Sequence, residues 1–213
     1  MTCTRRTAAD RGFTLVEVLV ALLVMAIMAG MAWQGVDGIV RTRDASQARL
    51  EQTLRLNTVV AQWDRDLASI QTTDIVKDAL TCDGATVRLT RKTPEGVQIV
   101  AWSMRPNADG NGAGWVRWAG PSVTTAGELQ DSWLRSQQLQ GGEPGSLRAL
   151  NGLTGWQVYF YWANSNGWSN CQSTGNVAAG GGGQDLKGVR IVLSFAPGSG
   201  SNGDLTRDTL LGP

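Results

Sequence analysis

A glycine and a carboxylate lie five positions apart at the start of a long apolar run. Gly12 directly precedes Phe13, and Glu17 is the only charged residue within residues 13–33. A carboxylate in hydrocarbon costs roughly 2.5–3.5 kcal/mol on insertion scales, so it needs a partner of opposite charge or another reason to be there. The pattern therefore indicates a charge with a function inside an otherwise apolar segment.

The apolar run itself predicts a membrane-spanning helix. Its 21 residues would span roughly 31 Å as an α-helix, about the thickness of the hydrocarbon core of a bilayer. Arg5, Arg6 and Arg11 precede the run, and Asp10 is the only acidic residue there. Because basic flanks stay in the cytoplasm, we expect the long C-terminal part to lie on the outer side of the membrane.

Two simpler interpretations explain this segment less well. A cleaved secretory signal has a shorter apolar core, of roughly 7–15 residues, followed by a small-residue cleavage site. No convincing Ala-x-Ala site follows the run in this sequence. A plain membrane anchor fits the length but leaves Glu17 unexplained.

The sequence Gly-Phe-Thr-Leu-Val-Glu at residues 12–17, after a short basic leader, resembles the processing site of the type IV pilin superfamily. The resemblance implies that a prepilin peptidase cleaves between Gly12 and Phe13 and methylates the new amino terminus of Phe13. Glu17 is then the fifth residue of the mature chain. The N-terminal ammonium of a neighbouring subunit can neutralise Glu17, which turns the cost of a lone carboxylate into a drive for assembly.

Composition restricts the classes of function. The chain of 213 residues has a net charge of +1, which becomes −1 once residues 1–12, with three arginines and one aspartate, are removed. Without a basic block there is no argument for nucleic-acid binding. The sequence has no histidine and no Gly-x-Ser-x-Gly motif, which excludes histidine-based catalysis and histidine-ligated metals. We therefore expect no enzymatic activity, no metal and no cofactor.

The three cysteines divide between the leader and the outer part of the chain. Cys3 lies in the leader and is lost on cleavage, whereas Cys82 and Cys171 remain. An even pair in an oxidising compartment predicts a disulfide between Cys82 and Cys171. The alternative is two unpaired buried thiols.

Hydrophobic periodicity divides the chain beyond the membrane run. Apolar residues at positions 56, 60, 63, 67 and 70 have helical spacing and predict a face that packs on a globular domain. We expect Asp64 and Asp66 on the opposite, solvated face. The predicted organisation is a cleaved leader at 1–12, a transmembrane helix at 13–33, an amphipathic extension of the helix at 34–74 and a periplasmic antiparallel β domain at 75–213.

After Cys82 the pattern changes to the period of two that is typical of strands. It predicts strands at residues 86–91, 97–104, 114–118, 156–162, 188–195 and, at a sheet edge, 204–208. Residues 119–152 give no clear assignment, and residues 171–184 predict a flexible loop. The expected fold is α+β, with one long N-terminal helix packed on an antiparallel sheet of about five to seven strands. This is also the general plan of pilin-like proteins.

The sequence holds nine tryptophans, which are candidates for both core and contact positions. Three that fall in strand patterns should lie in the core: Trp102, Trp156 and Trp162. Three others are candidates for a surface patch that contacts a partner protein or, less favourably, a sugar: Trp115, Trp118 and Trp168. Residues 107–111 resemble part of a calcium loop, but the remaining EF-hand ligands do not follow, so we interpret them as a hairpin turn.

The order of features in residues 50–195 resembles the J-type minor pseudopilins of type II secretion. The matching features are the Asp-Leu at residues 66–67, the strand arginines Arg91 and Arg117, the Gly-Trp at 167–168 and the closing strand at 187–195. The usual Leu-Pro before the closing strand is absent. W-type minor pilins of type IV pili are therefore an alternative, and an adhesive or glycan-binding tip module is an alternative from a different class.

The J-type resemblance implies a structural role at the bacterial inner membrane. Such proteins lie at the tip of a periplasmic pseudopilus with I-type, K-type and H-type minor pseudopilins and the major pseudopilin. Their tip complex primes filament assembly for protein export across the outer membrane. The implied contacts are bundled helices in inner-membrane lipid, a charge pair at Glu17 and matched surfaces between globular domains.

Overall fold

A computed structural model describes residues 12–107, 112–164, 166–171, 177–179, 186–199, 201 and 203–212. The chain divides into two compact units, Met1–Leu50 and Glu51–Pro213. Helix α1, Leu15–Ala68, has 54 residues and contributes to both units. Its composition, rich in Leu, Val, Ala and Met and free of proline, favours an uninterrupted helix.

The second unit is built on one antiparallel sheet. Within the described residues the sheet has nine strands in the order β7-β1-β2-β3-β4-β5-β8-β9, with β6 paired to β5. The strands are β1 Leu80–Cys82, β2 Thr86–Thr93, β3 Gly96–Pro106, β4 Ala113–Ala119, β5 Ser146–Trp162, β6 Gly167–Asn170, β7 Val177–Ala179, β8 Leu186–Phe195 and β9 Gly203–Leu210. The expected α+β fold class is confirmed.

The six strands predicted from the sequence are all present, but the predicted total of five to seven strands is wrong. The structure adds β1, β6 and β7, which have only three or four residues each. Such short strands carry too few alternations for a period of two to be recognised. In the predicted loop at 171–184, residues 177–179 form β7 on β1; residues 172–176 and 180–184 lie outside the described part of the chain.

Helix α2, Ala126–Gln137, lies within residues 119–152, where the sequence pattern predicted no clear element. Thr125 caps it: the Glu128 amide donates to Thr125 Oγ1, and the Thr125 hydroxyl donates to Glu128 Oε2 at 2.7 Å. The Thr125 side chain thus satisfies one first-turn amide that lacks a helical partner. Leu129 then faces the sheet and is buried.

The sheet has a hydrophobic core on each face. On one face, Trp63 and Leu67 of α1 are buried against a stack of indole rings. The ring centroids of Trp102 and Trp115 are 4.2 Å apart, and that of Trp63 lies 5.4 Å from Trp115. On the other face, α2 packs on a smaller cluster around Ile99, Ala101, Trp118 and Val123.

Helix α1 ends at Ala68 because the following backbone pairs with the sheet. The Lys92 amide donates to the Ser69 carbonyl and the Gln71 amide donates to the Thr90 carbonyl, each at 2.8 Å. Backbone groups bonded to a strand are no longer available to a helix. The extension of the helix to residue 74 that the sequence predicted is therefore too long.

The structure joins Cys82 and Cys171 in a disulfide, with their Cα atoms 6.1 Å apart. Cys82 ends β1, Cys171 directly follows β6, and both side chains are buried. The bond connects two short strands that lie far apart in the sequence. It therefore links β1, which pairs with β2 and β7, to the end of β6, which pairs with β5.

Replacing both cysteines with alanine should lower the free energy of unfolding by about 2–5 kcal/mol, because the unfolded chain loses a constraint across a long loop. Urea unfolding of the full chain in detergent, followed by near-UV circular dichroism, measures the loss. Reduction of the wild-type protein is the control and should reproduce it, with no effect on the double variant. Equal stability of the two oxidised proteins would contradict the prediction.

Candidate processing and assembly site

The Gly12–Phe13 peptide bond lies in non-helical backbone just ahead of α1. Phe13 is 87% exposed, and among the described residues that do not adjoin Gly12 no heavy atom lies within 4 Å of the position that a Cβ of Gly12 would occupy. The open surroundings leave room for an enzyme to close around the bond. The geometry is compatible with cleavage at this position, which stays a prediction.

Glu17 and Thr14 form a capping box at the start of α1. The amide and the hydroxyl of Thr14 donate to Glu17 Oε2 at 3.0 and 2.9 Å, and the Glu17 amide donates to Thr14 Oγ1 at 3.3 Å. Each residue thus satisfies backbone amides at the helix terminus. Within the described residues no cationic side chain forms an ion pair with the carboxylate. A charge pair between Glu17 and a neighbouring subunit stays a prediction.

The helix behind this site exposes an apolar surface. Large apolar side chains between residues 15 and 40 are 47–76% exposed. By its length and composition, α1 is able to cross a membrane. Exposed apolar surface of this extent is stable in hydrocarbon or against other apolar helices, and not in water.

A family model described as the prokaryotic N-terminal methylation motif matches residues 7–33. The motif indicates a type IV pilin-like protein. The match covers residues 7–12 of the predicted leader, the capping box and the first part of α1, and it ends before the second unit. Members of the pilin-like family are structural proteins, and the motif implies processing by a prepilin peptidase and assembly with other pilins. No curated protein matches the chain.

In the second unit, Asp66 forms a buried charge cluster that the sequence pattern did not predict. Asp66 is fully buried and accepts hydrogen bonds from Arg91 at 2.5 Å and from Arg117 at 2.7 and 2.9 Å. Trp102 Nε1 and Gln62 Nε2 each donate to the same carboxylate at 2.9 Å. The cluster joins α1 to β2, β3 and β4.

The prediction that Asp66 lies on a solvated face of α1 is therefore wrong. Asp66 follows Trp63 by three positions, and residues three apart on a helix share a face. The buried face of α1 runs through Val59, Trp63 and Asp66, so the periodicity itself contained the signal. Asp64 lies beside this face, where its carboxylate accepts from Arg207 and Thr209 of β9 at 2.7 Å each.

Trp115 and Trp118 are not surface residues, which corrects the interpretation from the sequence. They are 0% and 5% exposed. The cause is the position of β4 between β3 and β5, in the middle of the sheet, with α1 over one face and α2 over the other. The predicted core positions of Trp102, Trp156 and Trp162 are confirmed by their burial.

Trp168 is 40% exposed and lies on the surface of the sheet. The Arg190 guanidinium lies 4.3 Å from the centroid of its ring, and Arg190 makes two hydrogen bonds of 2.6 Å with Asp208. The hydrogen bonds from Arg190 lower the pKa of Asp208 from its ordinary value. A partner contact through Trp168 stays a prediction.

The residues that the structure describes contain no group of three or more His, Cys, Asp or Glu side chains arranged to hold a metal. Four residues of the segment that resembles a calcium loop, 108–111, lie outside this part of the chain.

Proposed function

We propose that this protein is a minor pseudopilin of the J type in a type II secretion system. The observation that carries the pilin-like part of the proposal is the N-terminal methylation motif at residues 7–33, which includes the exposed apolar start of α1. In this role residues 1–12 are the leader that the prepilin peptidase removes. The remaining chain is anchored in the inner membrane, with its second unit in the periplasm.

The choice of the J type is supported by where the resembling segments lie. The Asp-Leu at residues 66–67 and the strand arginines Arg91 and Arg117 come from three elements distant in sequence, and the side chains of Asp66 and both arginines meet in the buried cluster. These residues therefore share one structural role, which is to hold α1 on the sheet through a buried ion-pair cluster.

The mechanism of assembly follows from the site at the start of α1. Cleavage after Gly12 would create an ammonium at Phe13, next to the exposed carboxylate of Glu17. Between neighbouring chains, such an ammonium and the Glu17 carboxylate neutralise each other inside the membrane, where an isolated charge is costly. The tip complex with the I-, K- and H-type minor pseudopilins would then prime growth of the major pseudopilin filament.

Site-specific photo-crosslinking in native membranes tests the proposal. p-Benzoylphenylalanine is placed in the full chain at Leu134 or Leu147, which are 48% and 64% exposed. Cross-links to I-type or K-type pseudopilins are the expected result, and unirradiated membranes are the control. Cross-links to a major pilin and pilus minor pilins would assign the protein instead to pilus assembly, as a W-type protein.

The intact mass of the purified chain tests the processing step separately. We expect a chain that begins at Phe13 and carries one added methyl group. A chain that retains residues before Gly12 would contradict the pilin-like mechanism and leave a plain membrane anchor.

A further inference from the structure

One end of the sheet surface has no helix over it within the described part of the chain. On the face opposite α1, α2 covers β3 and the Trp118 region of β4. On β5, β8 and β9, the residues that point away from the α1 core include Tyr159, Arg190 and Asp208, which lie opposite one another in the strand register. Their side chains form a surface row across three strands.

Trp168 of β6 lies over this row and is held in place by its neighbours. Its ring centroid is 5.3 Å from that of Tyr161, and the Arg190 guanidinium stacks on it at 4.3 Å. The edge of the indole lies close to β8, since a Cβ at Gly188 would lie 3.7 Å from Cη2 of Trp168. An aromatic side chain fixed in this way loses little conformational entropy when a ligand binds.

The two charged side chains of this surface, Arg190 and Asp208, pair with each other. Arg190 and Asp208 form a bidentate pair, with side chains 34% and 48% exposed. Exposed pairs of this kind add little to stability, so the pair is better explained by the surface that it presents. A charged ligand would have to compete with an existing partner at each of these two groups.

Neutral hydrogen-bonding groups surround the rings. The Tyr161 hydroxyl donates to Asn166 Oδ1 at 2.5 Å, and the Tyr159 hydroxyl donates to Gln157 Oε1. Each tyrosine oxygen keeps acceptor capacity, and each amide keeps its NH₂ donors. The patch therefore offers flat aromatic surface, donors and acceptors together.

We propose that the platform formed by Tyr161, Asn166, Trp168, Arg190 and Asp208 binds a neutral oligosaccharide. The C–H face of a pyranose ring is apolar and weakly positive, which suits the negative face of an indole. The hydroxyl groups at the rim of the sugar both donate and accept, which suits the amides, the tyrosine oxygens and the free lone pairs of Asp208. This activity is separate from assembly into a filament.

Isothermal titration of the full chain with cellohexaose and with chitohexaose tests the proposal, in a detergent that has no sugar headgroup. We expect saturable binding of at least one of the two, weakened by about two- to twelvefold in Trp168→Ala, since aromatic stacking is worth roughly 0.5–1.5 kcal/mol. Trp168→Phe should keep part of the affinity. Leu147→Ala, an exposed change that involves no platform residue, should bind as the wild type does.

Absence of binding by both oligosaccharides, or equal binding by wild type and Trp168→Ala, would overturn the proposal. Binding of sulfated heparin alone would overturn the assignment of a neutral ligand. Near-UV circular dichroism of each variant establishes that it is folded. Because the photo-crosslinking at Leu134 and Leu147 has a different readout, failure of the platform leaves the proposed function untouched.

Discussion

Replacing Asp66 with asparagine should lower the free energy of unfolding by about 3–5 kcal/mol, the typical cost of breaking a buried ion pair by removing one partner. Asp66 is fully buried, and the side chains of Arg91 and Arg117 are only 22% and 15% exposed. The variant leaves two cations in the protein interior without a counter-charge. Urea unfolding of the full chain in detergent measures the loss as a lower midpoint at an unchanged m-value.

Asp64→Asn is the matched control for this experiment. Asp64 lies on the same turn of α1 and also binds an arginine, but its side chain and that of Arg207 are 25% and 50% exposed. Since partly solvated pairs contribute about 0–1 kcal/mol, this variant should lose much less stability. Equal losses in the two variants would contradict the special role of the buried cluster.

A second substitution tests the physical reason for the loss. Adding Arg117→Met to Asp66→Asn removes one of the two uncompensated cations, so the double variant should recover part of the lost stability. A simple sum of the two single losses would indicate that packing, and not charge, dominates at this site. The cluster fixes the end of α1 on three strands, which is a positioning role.

The second large effect is expected at Glu17. Glu17→Gln should reduce incorporation of the chain into filaments by about tenfold or more, because close charge pairs at interfaces couple by roughly 1.5–7 kcal/mol. Glutamine also serves in a capping box, so the start of α1 keeps its hydrogen bonds while the charge is lost. The variant should be cleaved normally and accumulate in the membrane fraction.

Thr14→Ala separates the capping role of this site from its charge. The change removes the hydroxyl that binds Glu17 Oε2 at 2.9 Å and leaves the carboxylate in place. We expect Thr14→Ala to assemble and Glu17→Gln to fail, as measured by the ratio of sheared filament to membrane protein on immunoblots. The reverse result would make the capping box, and not charge pairing, the determinant of assembly.

Elements whose causes are local follow from the sequence alone. The capping residues and the uninterrupted apolar composition specify the start of α1 and its membrane character, and the period of two specifies six strands. Helix α2 was also within reach, since Thr125 and Glu128 have the spacing of a capping box and Leu129 and Trp133 are four apart. Gly127 and the many polar residues in this segment weakened the helical pattern of apolar residues.

What packs against each face of a helix or strand depends on the tertiary structure. Periodicity placed Asp66 within one helical turn of Trp63, but two arginines from β2 and β4 are what make a buried carboxylate tolerable there. In the sequence, Trp115 and Trp118 have patterns similar to that of Trp168. However, β4 is central and covered on both faces, so its tryptophans are buried. Trp168 lies on a short strand with no helix above it in the described part of the chain. Burial depends on the order of strands in the sheet, and that order is set by contacts between residues distant in the chain, which a local pattern does not contain.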